Sequence, residues 1–162
     1  MIMDIHFRAM NDAEFDDFIK RSVEDYSNDL IKAGTHDESN ALEAAKKSFE
    51  DLIPEGRETA DNYLCMIEND AKETVGLIWY KKHTEDVAFI CDIEIDEKHR
   101  RKGYAKKALT LLESEAKAIG CDQILLHVFR FNSPARALYE KVGYQMVQED
   151  GESVYMLKGD LA

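Results

Sequence analysis

The chain has 162 residues, 44% of them apolar and 33% charged, with a formal net charge of −12. That balance excludes a disordered chain, and the length suits one domain, 1–162, able to bury a sizeable core. The acidity argues against nucleic acid, no apolar run approaches the ~20 residues of a membrane span, and the opening MIMDIHFRAM has no apolar signal segment, so no membrane and a cytoplasmic setting are expected.

Residues 3–10 alternate as a first strand, with Ile5 and Phe7 on one face. Asn11-x-x-Glu14 is a variant capping box opening a helix whose apolar stripe is Phe15, Phe18, Ile19, Val23, Tyr26, Leu30 and Ile31, and Gly34 stops it. Thr35-x-x-Glu38 is expected to open a second helix in the same way, with Leu42, Ala45, Phe49, Leu52 and Ile53 inward and Pro54-Glu55-Gly56 at its end. After a polar connector, residues 63–68 and 74–81 read as a hairpin with a loop of about five residues. Trp79, the only tryptophan, is expected to pack under the sheet. Residues 88–95 are apolar and β-prone and read as a largely buried strand, interrupted by Asp92 and Glu94.

A basic turn follows. Between residues 98 and 107 lie six Lys or Arg and no Asp or Glu, so the rest of the chain sums to −18. The turn opens a helix marked by Ala105, Ala108, Leu109, Leu112, Ala116 and Ile119, with Gly120 as its stop. Cations at a helix N-terminus are disfavoured by about 0.3–1 kcal/mol each. The placement therefore asks for an anion, which backbone N–H groups beside Gly103 could receive at close range. The alternative is a solvated turn that attracts the chain's own carboxylates. Neither G-x-x-x-x-G-K-[ST] nor G-x-G-x-x-G occurs.

Residues 123–129 form another strand, in which His127 reads as half-buried. Asn132-Ser133-Pro134 opens a short helix with Ala135, Leu138, Tyr139 and Val142 inward and Gly143 as its stop. Residues 144–148 and 153–158 pair around a turn. The order is β α α β β β α β α β β, a mixed α/β (α+β) layer structure. Cys65, Cys91 and Cys121 are odd in number and widely spaced, so they read as small hydrophobes. The five histidines have no ligand spacing, and no metal is expected.

Arg100-x-x-Gly103-x-Ala105, between a strand and a helix, resembles the pyrophosphate-binding motif of the GNAT acyltransferase superfamily. Asn132, Ala135, Tyr139, Gly143 and Tyr144 match the family's Asn-x-x-Ala-x-x-x-Tyr-x-x-x-Gly-[Phe/Tyr], and the element order is similar across most of the chain. The resemblance implies the GNAT fold, a mixed, mostly antiparallel sheet with helices on both faces. It implies an N-acetyltransferase that moves an acetyl group from acetyl-CoA to a primary amine by direct attack, without a metal. The pyrophosphate would rest on backbone N–H groups of Arg101, Lys102, Gly103, Tyr104, Ala105 and Lys106, with charge from Arg100, Arg101 and Lys102. Unpaired backbone at Ile93, Glu94 and Ile95, where the family's strand splays from its neighbour, would pair with pantetheine and could supply an oxyanion donor. Asn132 and Ala135 would line the cofactor's other side, and Tyr139 would protonate or hydrogen-bond the departing thiolate. Glu94 stands where some relatives carry a general base.

From the residues alone, Tyr139 also reads as a packed aromatic, and Glu94 as base stays open. The acidic remainder either concentrates a cationic acceptor or only keeps the protein soluble. The rival function is a catalytically silent CoA-binding regulatory or sensor module of the same fold. Many relatives are dimers, so a homodimer is the corresponding expectation.

Overall fold

The computed structural model describes residues 3–161; Met1, Ile2 and Ala162, which the expectation of a domain over 1–162 includes, lie outside the described residues. The chain forms two compact units, residues 10–62 and residues 3–9 with 63–161.

The first unit is a helical pair. Helix α1 (Asp12–Lys32) begins with the expected capping box: Glu14 N donates to Asn11 Oδ1 at 2.8 Å and Asn11 N donates to Glu14 Oε1 at 3.0 Å. A cap of this kind stabilises a helix by about 1 kcal/mol. The second helix does not open at Thr35-x-x-Glu38. The Thr35 hydroxyl donates back to Leu30 O at 3.3 Å, Asp37 N donates to Asn40 Oδ1 at 3.0 Å, and Ser39 N donates to Asp37 Oδ1 at 2.9 Å. These short side chains close a turn on their own backbone, and α2 runs Ala41–Leu52. Its buried contacts with α1 are Ala41 and Ala45 against Val23 and Leu30, with Phe49, Tyr26, Ile19 and Ile31 around them. Leu42 and Leu52, expected inward, are 44% and 41% exposed. The two alanines are what α2 turns towards α1, so the leucines flank the seam.

The second unit is a seven-stranded sheet in the order β1-β2-β3-β4-β5-β7-β6. The strands are β1 (Ile5–Ala9), β2 (Asn62–Asn69), β3 (Thr74–Lys82), β4 (Val87–Ile95), β5 (Gln123–Phe129), β6 (Gln145–Asp150) and β7 (Ser153–Lys158). Helix α3 (Tyr104–Ala118) joins β4 to β5, which pair in parallel, and α4 (Ser133–Lys141) joins β5 to β6. The pairs β1–β2, β3–β4, β5–β7 and β6–β7 are antiparallel. The sheet's core holds Ile78, Ile90, Ile124 and Leu126 against Leu109 and Leu112 of α3. Trp79 is buried, as expected. Among the described residues no helix is long and apolar enough to cross a membrane.

Strand β4 departs from the expectation of a largely buried strand. Its pairing with β3 shifts register at Trp79/Tyr80, where Trp79 faces Asp92 and Tyr80 faces Ile90, so Cys91 is the extra residue of a bulge. Ala88 and Ile90 are buried before the bulge, and Ile93 and Ile95 pack on the same core after it. Asp92 and Glu94 therefore share the opposite face. On its other side β4 pairs with β5 only from Val87 to Ile90. Among the described residues no strand pairs with that edge from Cys91 to Ile95, and all five residues are only partly buried.

Candidate active site

The basic turn is tied to the sheet by one backbone and one side-chain hydrogen bond. Asp96 N donates to Val75 O at 2.8 Å, a single 3₁₀ turn spans Glu97–His99, and Arg100 Nε donates to Ile95 O at 2.8 Å. Arg101 has φ of 61° and Gly103 φ of 89°, both left-handed. For Arg101 this is an uncommon conformation, and Gly103 supplies it without the Cβ penalty. Gly103, the N-cap of α3, has no side chain with which to cap the first-turn N–H groups, which lie at the helix end beyond the reach of its own carbonyl ladder. Among the described residues, Lys107 alone of the six cations forms an ion pair, with Asp4 at 2.8 Å. The turn's own carboxylates therefore neutralise little of its charge.

A cleft of about 290 Å³ opens here. It gathers Ile95, Arg100, Arg101, Gly103, Tyr104, Ala105 and Lys106 from the expected set. The Tyr104 side chain is only 5% exposed and sits in the sheet's core, so what the residue offers the cleft is backbone. Three residues absent from the expectation also line it: His99, Leu138 and Lys141. The i, i+3 spacing of Leu138 and Lys141 on α4 was visible, but nothing in it says which helix faces the turn. Lys102, Ile93, Glu94, Asn132, Ala135 and Tyr139 are not in the cleft wall.

The open edge of β4 continues from this cleft. Across β3, Ile95 faces Gly76, Glu94 faces Leu77 and Ile93 faces Ile78. The Ile95 carbonyl is already engaged by Arg100. At Gly76 the two strands approach so closely that a Cβ would overlap the Glu94 carbonyl oxygen.

Helix α4 supplies the opposite side. Asn132 is its cap, accepting from Ala135 N at 3.4 Å, with Pro134 in the first turn. Asn132 thus spends its oxygen on the helix. Tyr139, seven residues on, is 9% exposed and meets Tyr144 edge-on at 5.8 Å. Burial, and then the negative charge of Asp92, push its phenol up to about 12. The tertiary structure thus couples Tyr139 to Asp92, one residue past the bulge. A phenol held that high keeps its proton across the physiological range and can donate a hydrogen bond to developing negative charge.

The remaining candidates are structural. His127 Nε2 lies 2.9 Å from Ser153 Oγ, between Phe129 and Tyr155, and burial lowers its pKa. Burial pushes the thiols of Cys65 and Cys91 up to about 11 and about 12, away from nucleophilic character.

A sequence model described as the acetyltransferase (GNAT) family matches residues 22–144. The uncharacterized N-acetyltransferase YycN of Bacillus subtilis (strain 168) is 36% identical over 146 residues, covering 88% of this chain and 94% of that protein. A second N-acetyltransferase of that strain, YdgE, is 36% identical over 140 residues, covering 85% and 89%. The crystal structure of YycN, named a putative acetyltransferase, superposes with a TM-score of 0.83 over 90% of this chain and 95% of its own. The PaiA N-acetyltransferase of Thermoplasma acidophilum, solved in complex with coenzyme A, shares the fold at a TM-score of 0.69 and 22% identity, covering 97% and 99%.

Proposed function

The chain belongs to the GNAT family of acetyltransferases, and on that premise we propose that it transfers an acetyl group from acetyl-CoA to the primary amine of a small cationic acceptor. The observation that carries the reading is the cleft at the start of α3, where the helix's first-turn N–H groups meet a cluster of cations of which, among the described residues, Lys107 alone is ion-paired. A diphosphate fits that chemistry: donors in a fixed array, positive charge, and a glycine that leaves the backbone accessible.

In this reading the N–H groups from Arg101 to Lys106 receive the pyrophosphate, and Arg100, Arg101 and Lys102 add charge to the site. Lys141 adds a cation from α4. The edge of β4 at Ile93 pairs with the pantetheine amides, and Ile95 contributes its N–H, because its own carbonyl is engaged by Arg100 and the Glu94 carbonyl is turned towards β3. Asn132 and Ala135 border the other side. The acceptor arrives protonated, since an unperturbed lysine-like amine has a pKa of ~10.4. Glu94, or a water beside it, takes that proton. The free amine nitrogen then attacks the thioester carbonyl, a backbone N–H of β4 donates to the oxygen, and the C–S bond breaks with its electron pair on sulfur while the second amine proton leaves nitrogen and ends on that sulfur, giving the amide and the CoA thiol. A thiol titrates near ~8.5, well below the Tyr139 phenol, so Tyr139 serves the thiolate as a hydrogen-bond donor more than as the final proton source.

The cationic acceptor is favoured by charge. Outside residues 98–107 the chain sums to −18, and Asp92 and Glu94 share one face of β4 beyond the bulge. Such a field concentrates cations. The test is thioester cleavage by a panel of cationic, neutral and acidic amines at saturating acetyl-CoA and several ionic strengths. A cationic acceptor should be preferred, with kcat/KM falling as salt rises. A flat salt profile or an acidic preference overturns the acceptor class, and CoA binding without turnover by any amine makes the protein a binding module instead.

A further inference from the structure

We propose that Asn69, at the end of β2, is a positioning residue for the cofactor site: through the Tyr104 phenol it holds the first turn of α3 where its N–H groups meet the pyrophosphate. The proposal rests on the cofactor reading above.

Asn69 is 1% exposed, and its amide is fully committed. Oδ1 accepts from Ala71 N and Glu73 N, each at 3.0 Å. Nδ2 donates to Glu73 Oε1 at 3.0 Å and to the Tyr104 hydroxyl at 3.3 Å. Two acceptor bonds and two donor bonds exhaust what an asparagine side chain offers. A buried group satisfied in this way is rigid, and removing one partner leaves the others in low dielectric without compensation. The link joins the β2–β3 hairpin turn to the first residue of α3.

The turn that α3 grows from needs such support. Its left-handed Arg101 and Gly103 are not what local preference chooses for both positions, and conformations of that kind persist only where the surroundings over-determine them. Mutual repulsion among the six cations, of which Lys107 alone is ion-paired among the described residues, works against this turn. Two tethers hold the segment before the helix, one from the Asp96 backbone to Val75 O and one from the Arg100 side chain to Ile95 O. The Asn69–Tyr104 bond holds the helix itself. The His99 ring backs it, edge-on to Tyr104 at 5.9 Å and 7% exposed. Glu73 closes the network at the surface, where its hydrogen bond from Asn69 and the nearby charges of His99, Lys98 and Lys102 favour the carboxylate form.

Tyr104→Phe removes one hydroxyl and leaves the packed ring. Calorimetric titration with CoA should give a Kd ~2- to 10-fold above wild type, the range one net hydrogen bond spans. The acetyl-CoA KM should rise in step, by a larger factor than any fall in kcat at saturating acetyl-CoA. Asn69→Ala should also lower Tm, because it frees two backbone N–H groups, and the double variant should bind CoA no worse than Asn69→Ala, since both act through one bond. A Tyr104→Phe protein with lowered Tm and wild-type CoA affinity overturns the proposal, as does additivity of the two substitutions. If Asn69→Ala does not fold, Tyr104→Phe decides alone. Wild-type protein that fails to bind CoA brings down the cofactor reading and this inference together, and that titration is read before any variant.

Discussion

Gly76→Ala is the substitution that most directly tests the geometry of β4. A methyl group at this position would overlap the Glu94 carbonyl oxygen and come within 3.0 Å of Ile95 Cα. Both are backbone atoms, so no side chain can rotate away. Restoring a C···O contact of ~3.3 Å requires the strands to part by on the order of 1 Å. Overpacking of that kind costs about 1–3 kcal/mol, and at ~2–4 °C per kcal/mol for a chain of this size Tm should fall by roughly 2–12 °C. The functional loss should be larger, because the strand that moves is the one to which the proposed function assigns the pantetheine contacts. A 1 Å misplacement at a reacting centre can cost ~10²-fold, so kcat/KM for acetyl-CoA should drop ~10- to 100-fold in protein that is still folded. Gly159→Ala is the matched control: its nearest neighbour would be Gln123 Cγ at 3.9 Å, an ordinary contact, and both Tm and kcat/KM should stay at wild type. Scanning calorimetry and steady-state kinetics on the two variants read the result. Wild-type Tm and kcat/KM in Gly76→Ala would refute the argument that this glycine fixes the end of β4.

Gly103→Glu combines a left-handed backbone position with a carboxylate at the phosphate site, so it should abolish measurable CoA binding where Arg101→Ala only weakens it; wild-type affinity in folded Gly103→Glu would remove the phosphate from this turn. Tyr139→Phe should lower kcat by ~10- to 100-fold and leave the acetyl-CoA KM near wild type, and an unchanged kcat with chemistry rate-limiting would return Tyr139 to the packing residues. In the wild type the Tyr139 phenol, pushed up to about 12, should contribute no alkaline fall in kcat below that region of pH. The same burial makes stability sensitive to base. Cys65, Cys91 and Tyr139 have folded pKa values of about 11, about 12 and about 12, above their ordinary ones. The neutral form is the one the fold favours, so this contribution is complete below the unfolded values of ~8.5 and ~10 and is lost as pH rises through the folded ones. Urea midpoints should hold to pH ~8 and decline from ~9 to ~12, and midpoints flat across that window would contradict the burial of these groups.

Several features were legible because their causes are local. The Asn11/Glu14 capping box needs only three residues of spacing, and it formed as read. The start of α3 after a glycine in a basic turn follows from charge and from the φ that glycine permits. Where local signals competed, the reading failed: Thr35 and Glu38 satisfy the same pattern, but Asp37, Ser39 and Asn40 offered the backbone a turn first. Leu42 and Leu52 fit a helical stripe, yet which side of α2 meets α1 depends on the partner, and Ala41 and Ala45 allowed the closer approach. Leu138 and Lys141 of α4 meet His99 and the start of α3 in one cleft, which no spacing within any of these segments encodes.

The sequence by itself determined the element order, the caps at Asn11 and Asn132, the family and the placement of positive charge at one helix N-terminus, because hydrogen-bonding patterns of three or four residues and the sum of nearby charges act along the chain. Only the tertiary structure decided that Cys91 is a bulge, that β4 runs on past β5 with a bare edge, that Asp92 bears on Tyr139, and that Asn69 reaches Tyr104. Each of these depends on which strand or helix lies alongside. A strand's side-chain parity flips with one inserted residue, and an edge is bare or paired according to where its neighbour ends, so the neighbour supplies what the segment's own residues do not carry.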